Sequence, residues 1–198
     1  MTALALLRHG PTDWNKEGRI QGHTDIPLSE SGRAEVAGWN LPTQFQQYAW
    51  VASPLLRTRE TARLLGAPED MATDPVLMEM NWGEWEGATL TELRKKLGDE
   101  MAENEGRGLD FRPVGGESPR DVQMRLYPWL KIRAQLGAAT LAVSHKGVIR
   151  AILAAATGWD MIGKPPFRLS WNRIHLFSLA PDGSPSIDRL NIALRKEP

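Results

Sequence analysis

The 198-residue sequence predicts an α/β layer fold on two observations. Short apolar runs that read as buried strands alternate with segments that carry helix-capping signals. No Pro/Gly-rich linker and no internal repeat divides the chain, so residues 1–198 read as one domain.

The run Leu4-Ala5-Leu6-Leu7 predicts a core strand over 3–8, stopped at Gly10-Pro11. Residues 10–28 carry too many Gly, Pro, Asp and Asn for a regular element and read as a long loop. Ser29 is an N-cap for a helix over Glu30–Asn40, with acidic Glu30 well placed against the helix dipole. Tyr48–Ala52 predicts a second strand, and Ser53-Pro54 gives a cap followed by proline, opening a helix through Leu65. Val76–Met78 reads as a short strand and Thr89–Leu97 as a helix. Residues 98–117, rich in Gly and charge, read as a mobile excursion, part of a lid-like segment at about 80–117. Ser118-Pro119 repeats the cap-then-proline signal, with Asp121 completing a capping box, and opens a helix to about Leu136. Thr140–Val143 is a buried strand, and Ser144 is read as the cap of a helix through Thr157. Two last strands, Arg173–Leu179 and Ser186–Ala193, flank the turn Pro181-Asp182-Gly183.

Composition narrows the function classes. Lys plus Arg and Asp plus Glu balance at 24 each, so no overall field draws the chain to nucleic acid or an anionic membrane. With no cysteine, disulfides, thiolate catalysis and Cys-ligated zinc are excluded. No apolar run reaches membrane-span length, and the N-terminal apolar stretch is too short for a signal peptide, which makes a soluble cytoplasmic protein the default. The eight tryptophans read mainly as core or pocket wall.

Three junctions share one chemistry. The first strand ends in Arg8-His9, the second leads into a helix bearing Arg57, and the third ends in Ser144-His145. Ligands of open α/β sheets bind at the carboxyl ends of the strands. If these strands are parallel neighbours, two arginines and two histidines face one volume, a cluster that calls for a bound anion. Each junction alone is equally consistent with solvated or capping side chains, so the argument rests on their convergence.

These residues stand in motifs that resemble the histidine phosphatase superfamily, the group containing cofactor-dependent phosphoglycerate mutase. The resemblance rests on Arg8-His9-Gly10 with Thr12, Trp14 and Asn15, then Gln21-Gly22, then Asp25-Ile26-Pro27-Leu28-Ser29 with Gly32. It continues through Ser53-Pro54-Leu55-Leu56-Arg57-Thr58-Arg59-Glu60-Thr61-Ala62, Glu79 with Gly83, Trp85, Glu86 and Gly87, Gly115-Gly116-Glu117-Ser118 and Ser144-His145. The resemblance implies a three-layer sandwich with a mostly parallel central sheet flanked by helices. It implies that His9 attacks phosphorus, with Gly10 giving the phosphoryl group room, and that Arg8, Arg57 and His145 hold its equatorial oxygens. Asn15 donates one further hydrogen bond, and Thr12, Gln21 and Gly22 join it as substrate contacts. Glu79 protonates the leaving oxygen and later deprotonates the attacking water. Glu84 and Glu86 are its competitors for that role, and Glu117 reads as a loop anchor.

The resemblance also bears on substrate. The segment after Glu79 is Met80-Asn81-Trp82, where the mutases carry basic residues, and the stretch from 80 to 144 is shorter than theirs. The pattern is most similar to the short phosphatase members, α-ribazole phosphatase among them. A phosphatase acting on a small phosphomonoester is therefore expected, with phosphoglycerate mutase as the alternative and a catalytically inactive phosphate-binding module as a lesser one. No cofactor is expected unless the chain is a mutase, which would use 2,3-bisphosphoglycerate. A zinc site fares poorly, because His9, His23, His145 and His175 show no ligand spacing. His23 reads as a solvated loop histidine and His175 as a packed strand residue. Lys146 departs from the family pattern, which has glycine there; it is either an exposed first-turn residue or a rim cation favouring substrates with a second negative group. The sequence leaves oligomeric state open, a dimer included.

Overall fold

The structure, a computed structural model, describes residues 1–194. Among them, strands β1 (Thr2–Arg8), β2 (Ala49–Ala52), β3 (Ala72–Thr73), β4 (Thr140–Ser144), β5 (Arg173–Leu179) and β6 (Pro185–Ala193) form one sheet in the order β3-β2-β4-β1-β5-β6. The pairs β1–β4, β2–β4 and β2–β3 are parallel, while β5 runs antiparallel to both β1 and β6. The sheet is thus mostly parallel, as the family resemblance implies.

Alternation along β1 builds the layers. Leu4 and Leu6 point into one core with residues of α6 (Pro119–Leu136) and α7 (Lys146–Thr157). Ala5 and Leu7 point into the other, against Val36 of α2 (Glu30–Ala37). The central strand β4 is buried along its whole length. Continuous apolar side chains on both faces are what a strand covered by helices on each side requires. Helix α3 (Leu56–Leu64) lies beside α2's face, where Ala62 packs on Ala52 and Val143.

Capping chemistry accounts for most helix starts. Ser29 accepts from the Gly32 amide at 3.0 Å, and Ser118 with Asp121 forms the expected capping box. Thr89 with Glu92 does the same for α4 (Leu90–Leu97).

Five expectations change. The 10–28 loop contains one turn of helix, α1 (Asp13–Lys16), because Thr12 and Asn15 form a capping box. Val76–Met78 is not a strand: Asp74 accepts from the Val76 amide and Pro75 opens a 3₁₀ turn over Pro75–Leu77, with the strand just before it at Ala72–Thr73. Ser53 does not cap α3, whose N-cap is Leu55, and Ser144 does not cap α7, whose N-cap is His145. Ser144 ends β4 and its hydroxyl donates to the Leu77 carbonyl at 2.8 Å. The 98–117 excursion is built on α5 (Asp99–Glu105) and a 3₁₀ turn at Gly108–Asp110, and it has a core of its own. That core contains Ile20, Trp85, Leu93 and Met101, with Phe111 edge-on to both Trp82 and Trp85 at 5.6 and 5.8 Å.

Candidate active site

The three junctions lie side by side because β2 and β1 flank β4 with parallel register. Arg8 pairs with Ser144 and Ala52 with Val143, and the ladder continues as His9 N–H donates to Ser144 and Ser53 N–H to Val143, each at 3.0 Å. His9, Arg57 and His145 therefore meet above the carboxyl edge of the sheet, all three buried. The His9 and His145 ring centroids are 5.2 Å apart.

Hydrogen bonds set the proton positions. His9 Nδ1 lies 2.7 Å from the Gly10 carbonyl, which can only accept, so Nδ1 carries the hydrogen. The lone pair then resides on Nε2, which has no hydrogen-bond partner among the described residues. Burial first, and the nearby Arg8 and Arg57 guanidiniums second, hold the His9 imidazole well below its ordinary range, so it is neutral at pH 7. A buried neutral imidazole with an uncommitted Nε2 is a nucleophile.

Arg57 opens α3 and spends three of its five N–H groups on the protein. Nε donates to His145 Nδ1 at 3.3 Å, and the terminal nitrogens donate to the Thr24 and Gly22 carbonyls at 2.9 and 2.8 Å. Burial pulls its guanidinium down to about 10, against the raising effect of Glu79, Asp25 and Glu86, so it remains charged at neutral pH. His145 Nε2 then carries the hydrogen and donates to Ser53 Oγ at 2.9 Å. Burial, followed by Arg57 and His9, keeps the His145 pKa well below 6.5. Arg8 has a buried Nε with no partner among the described residues, and its guanidinium sits 5.8 Å from the Trp171 ring centre.

Glu79 reaches the same volume from the segment after the 3₁₀ turn. Its Oε1 accepts from the Met80 and Gly147 amides, both at 2.9 Å, which sets a carboxylate on the first turn of α7. Its negative charge raises the pKa of Arg8, Arg57 and Lys146. Of its two competitors, Glu84 is exposed and Glu86 is committed elsewhere. The Glu86 carboxylate accepts from the His23 and Thr24 amides at 2.7 and 2.8 Å and from the Thr24 hydroxyl. It fills the space above Gly22, where a Cβ would stand 1.9 Å from Glu86 Oε1.

The structure gives several of these residues contacts that the sequence reading did not name. Gly10 makes room for packing: a Cβ there would meet Val36 Cγ2 at 2.3 Å. Asn15 turns its Oδ1 to the Thr12 amide and hydroxyl, both at 3.1 Å, so Thr12 and Asn15 serve α1 with these atoms. Gln21 is buried with Oε1 unpartnered among the described residues, and Gly22 contributes its carbonyl to Arg57. His23 is not a solvated loop residue, since its Nε2 lies 2.9 Å from the Glu79 carbonyl oxygen. His175 is packed inside the sheet, as expected.

Arg125 was not singled out by its sequence context. From α6 it donates to Glu117 Oε1 at 2.9 Å, to the Met78 and Glu79 carbonyls at 2.7 and 3.2 Å, and to the Val76 carbonyl. Glu117 also accepts from the Asn81 amide at 2.9 Å, so it anchors the loop as predicted. This ion pair fixes the backbone that carries Glu79. No local pattern marked it: Asp121, one turn before Arg125 on α6, pairs with Arg112 instead.

Comparison with known proteins agrees with this geometry. Residues 4–193 match the histidine phosphatase superfamily (branch 1). The chain is 37% identical over 163 residues to a 2,3-bisphosphoglycerate-dependent phosphoglycerate mutase 2 of Gloeobacter violaceus, covering 77% of this chain and 74% of that one. It is 33% identical over 178 residues to a glucosyl-3-phosphoglycerate phosphatase of Mycolicibacterium vanbaalenii, covering 81% and 78%. A mycobacterial glucosyl-3-phosphoglycerate phosphatase solved in complex with VO3 superposes with a TM-score of 0.77 at 26% identity, covering 98% of this chain and 100% of that one. The family match over residues 4–193 and the relative at 37% identity, together with the ordered motifs and the sheet topology, lead to one conclusion: the chain belongs to the histidine phosphatase superfamily.

Proposed function

We propose that the protein is a metal-independent phosphomonoesterase that hydrolyses a small phosphorylated metabolite through a phosphohistidine at His9. The observation that carries this reading is a neutral, buried His9 whose Nε2 is uncommitted, beside Arg8 and Arg57. In the first step Nε2 forms a bond to phosphorus as the ester P–O bond breaks, and the leaving oxygen takes a proton from Glu79. In the second, Glu79 removes a proton from water, which attacks phosphorus and releases phosphate from the imidazole. The guanidiniums carry the charge spread over the equatorial oxygens, a task that metal ions perform elsewhere. Among the described residues no three His, Cys, Asp or Glu side chains gather as metal ligands.

A mutase is the second reading, favoured by the name of the 37%-identical relative. Hydrolysis is supported over it by the segment after Glu79. Met80 is buried, the Asn81 amide is tied to Glu117, and Trp82 packs on Phe111, so this stretch presents no cation to retain a product. Rapid-quench labelling with a phosphomonoester, in EDTA, tests the reading. An acid-labile phosphoprotein that turns over to free phosphate and is lost in His9→Ala is expected. Interconversion of phosphoglycerates with bisphosphoglycerate present, without phosphate release, selects the mutase.

A further inference from the structure

We propose that the groove between the start of α7 and the 164–171 segment is a subsite for a second anionic group of the substrate, a carboxylate or further phosphate carried a few carbons from the reacting phosphoryl group. The proposal rests on the phosphoryl-transfer reading of His9. The groove, of about 350 Å³, is lined by Lys146, Arg150, Lys164 and Arg168 together with apolar Leu153, Phe167 and Trp171. Among the described residues its lining holds no carboxylate, and none of these four cations forms a salt bridge.

Trp171 joins the groove to the catalytic cluster. Its ring centre is 5.8 Å from the Arg8 guanidinium carbon and 5.5 Å from Lys146 Nζ, so one indole contacts the phosphate-side arginine and the groove's first cation. Arg150 lies beyond, stacked 5.1 Å from the Trp159 ring centre, with a buried Nε that has no partner among the described residues. Four cations crowd one concavity in a chain whose formal net charge is zero. Desolvation, then repulsion from Arg8 and Arg150, lowers the Lys146 pKa against the raising effect of Glu79. Phe167 is 46% exposed and, with Trp171, offers apolar surface for the carbon skeleton between the two anions.

Calorimetric titration tests this without turnover. The probes are propylphosphonate, 3-phosphonopropionate and propane-1,3-bisphosphonate, in about 150 mM salt so that long-range attraction is screened. In the wild type at least one bifunctional probe binds more than tenfold tighter than propylphosphonate, and the tighter of the two identifies the anion. In Lys164→Gln/Arg168→Gln that advantage falls below threefold. Equal affinities in the wild type, no binding by either bifunctional probe, or an advantage that survives the double substitution would overturn the subsite. Failure of the function reading is separate: it is the absence of phosphohistidine in the wild type, whatever these affinities are.

Discussion

Arg57 Nε donates to His145 Nδ1 at 3.3 Å, so a buried cation dictates which nitrogen of the second imidazole carries its hydrogen. The same side chain holds the Gly22 and Thr24 carbonyls. One guanidinium thereby ties the loop after His9 to the β4–α7 junction.

Arg57→Lys keeps the charge and removes the fork. An ammonium cannot serve three divergent acceptors and a phosphate from one position. The expected result is a loss in kcat/KM of about 100-fold. The melting temperature should fall as well, because buried acceptors lose their donor. Steady-state kinetics and thermal unfolding on the same preparation check both.

Gly147→Ala separates catalysis from stability. A Cβ at Gly147 would stand 2.3 Å from Glu79 Oε1, the end of a flexible side chain, so the carboxylate is displaced while the backbone stays. Alanine is favoured over glycine within a helix by about 0.5–1 kcal/mol. A kcat reduced at least tenfold with an unchanged or raised melting temperature is expected. Wild-type kcat in this variant would refute the placement of Glu79.

Arg125→Met removes the donor that holds the Val76, Met78 and Glu79 carbonyls. Arg125 acts through the backbone and is a positioning residue. Its loss should lower kcat about tenfold, since small misplacements of a reacting group are costly. KM should move less than twofold, and Arg125→Lys should recover part of kcat. A matching rise in KM would argue for direct substrate contact instead.

Stability should decline as the medium is acidified below pH 6.5. His175 is buried, and desolvation lowers its pKa to about 4; His9 and His145 are shifted the same way. The unfolded chain takes up these protons from about pH 6.5 downward while the native chain does not, so the native state loses ground as pH falls. For His175 alone the loss accumulates between about 6.5 and 4 and reaches about 3 kcal/mol. Urea unfolding at pH 7 and pH 5 measures it, and His175→Gln should flatten the dependence. Equal stability at the two pH values would contradict the burial of neutral imidazoles.

The fold and half of the site were legible because the relevant signals are local. Arg8-His9 and Ser144-His145 sit where apolar runs stop, and the cap at Ser29 and the box at Ser118 mark helices directly. What escaped depends on contacts between distant segments. Arg125 works on the carbonyls of residues 76–79, Glu86 on the amides of residues 23–24, and His23 on the backbone of Glu79. Backbone acceptors leave no pattern in side-chain identity. Ser53 and Ser144 misled for the related reason that a hydroxyl suited to capping also serves tertiary partners, here His145 and Leu77. The Val76 strand was misassigned although Asp74-Pro75 carried the same cap-then-proline signal read correctly at Ser118-Pro119.

The pairing of Arg8 with Ser144 across β1 and β4 joins segments about two-thirds of the chain apart. Contacts of such sequence separation close late, because the loop entropy must be met before they contribute. A slip of one residue between these strands would turn every side chain of one strand to the opposite face and carry His145 away from His9. Turnover therefore reports the native register of these two central strands.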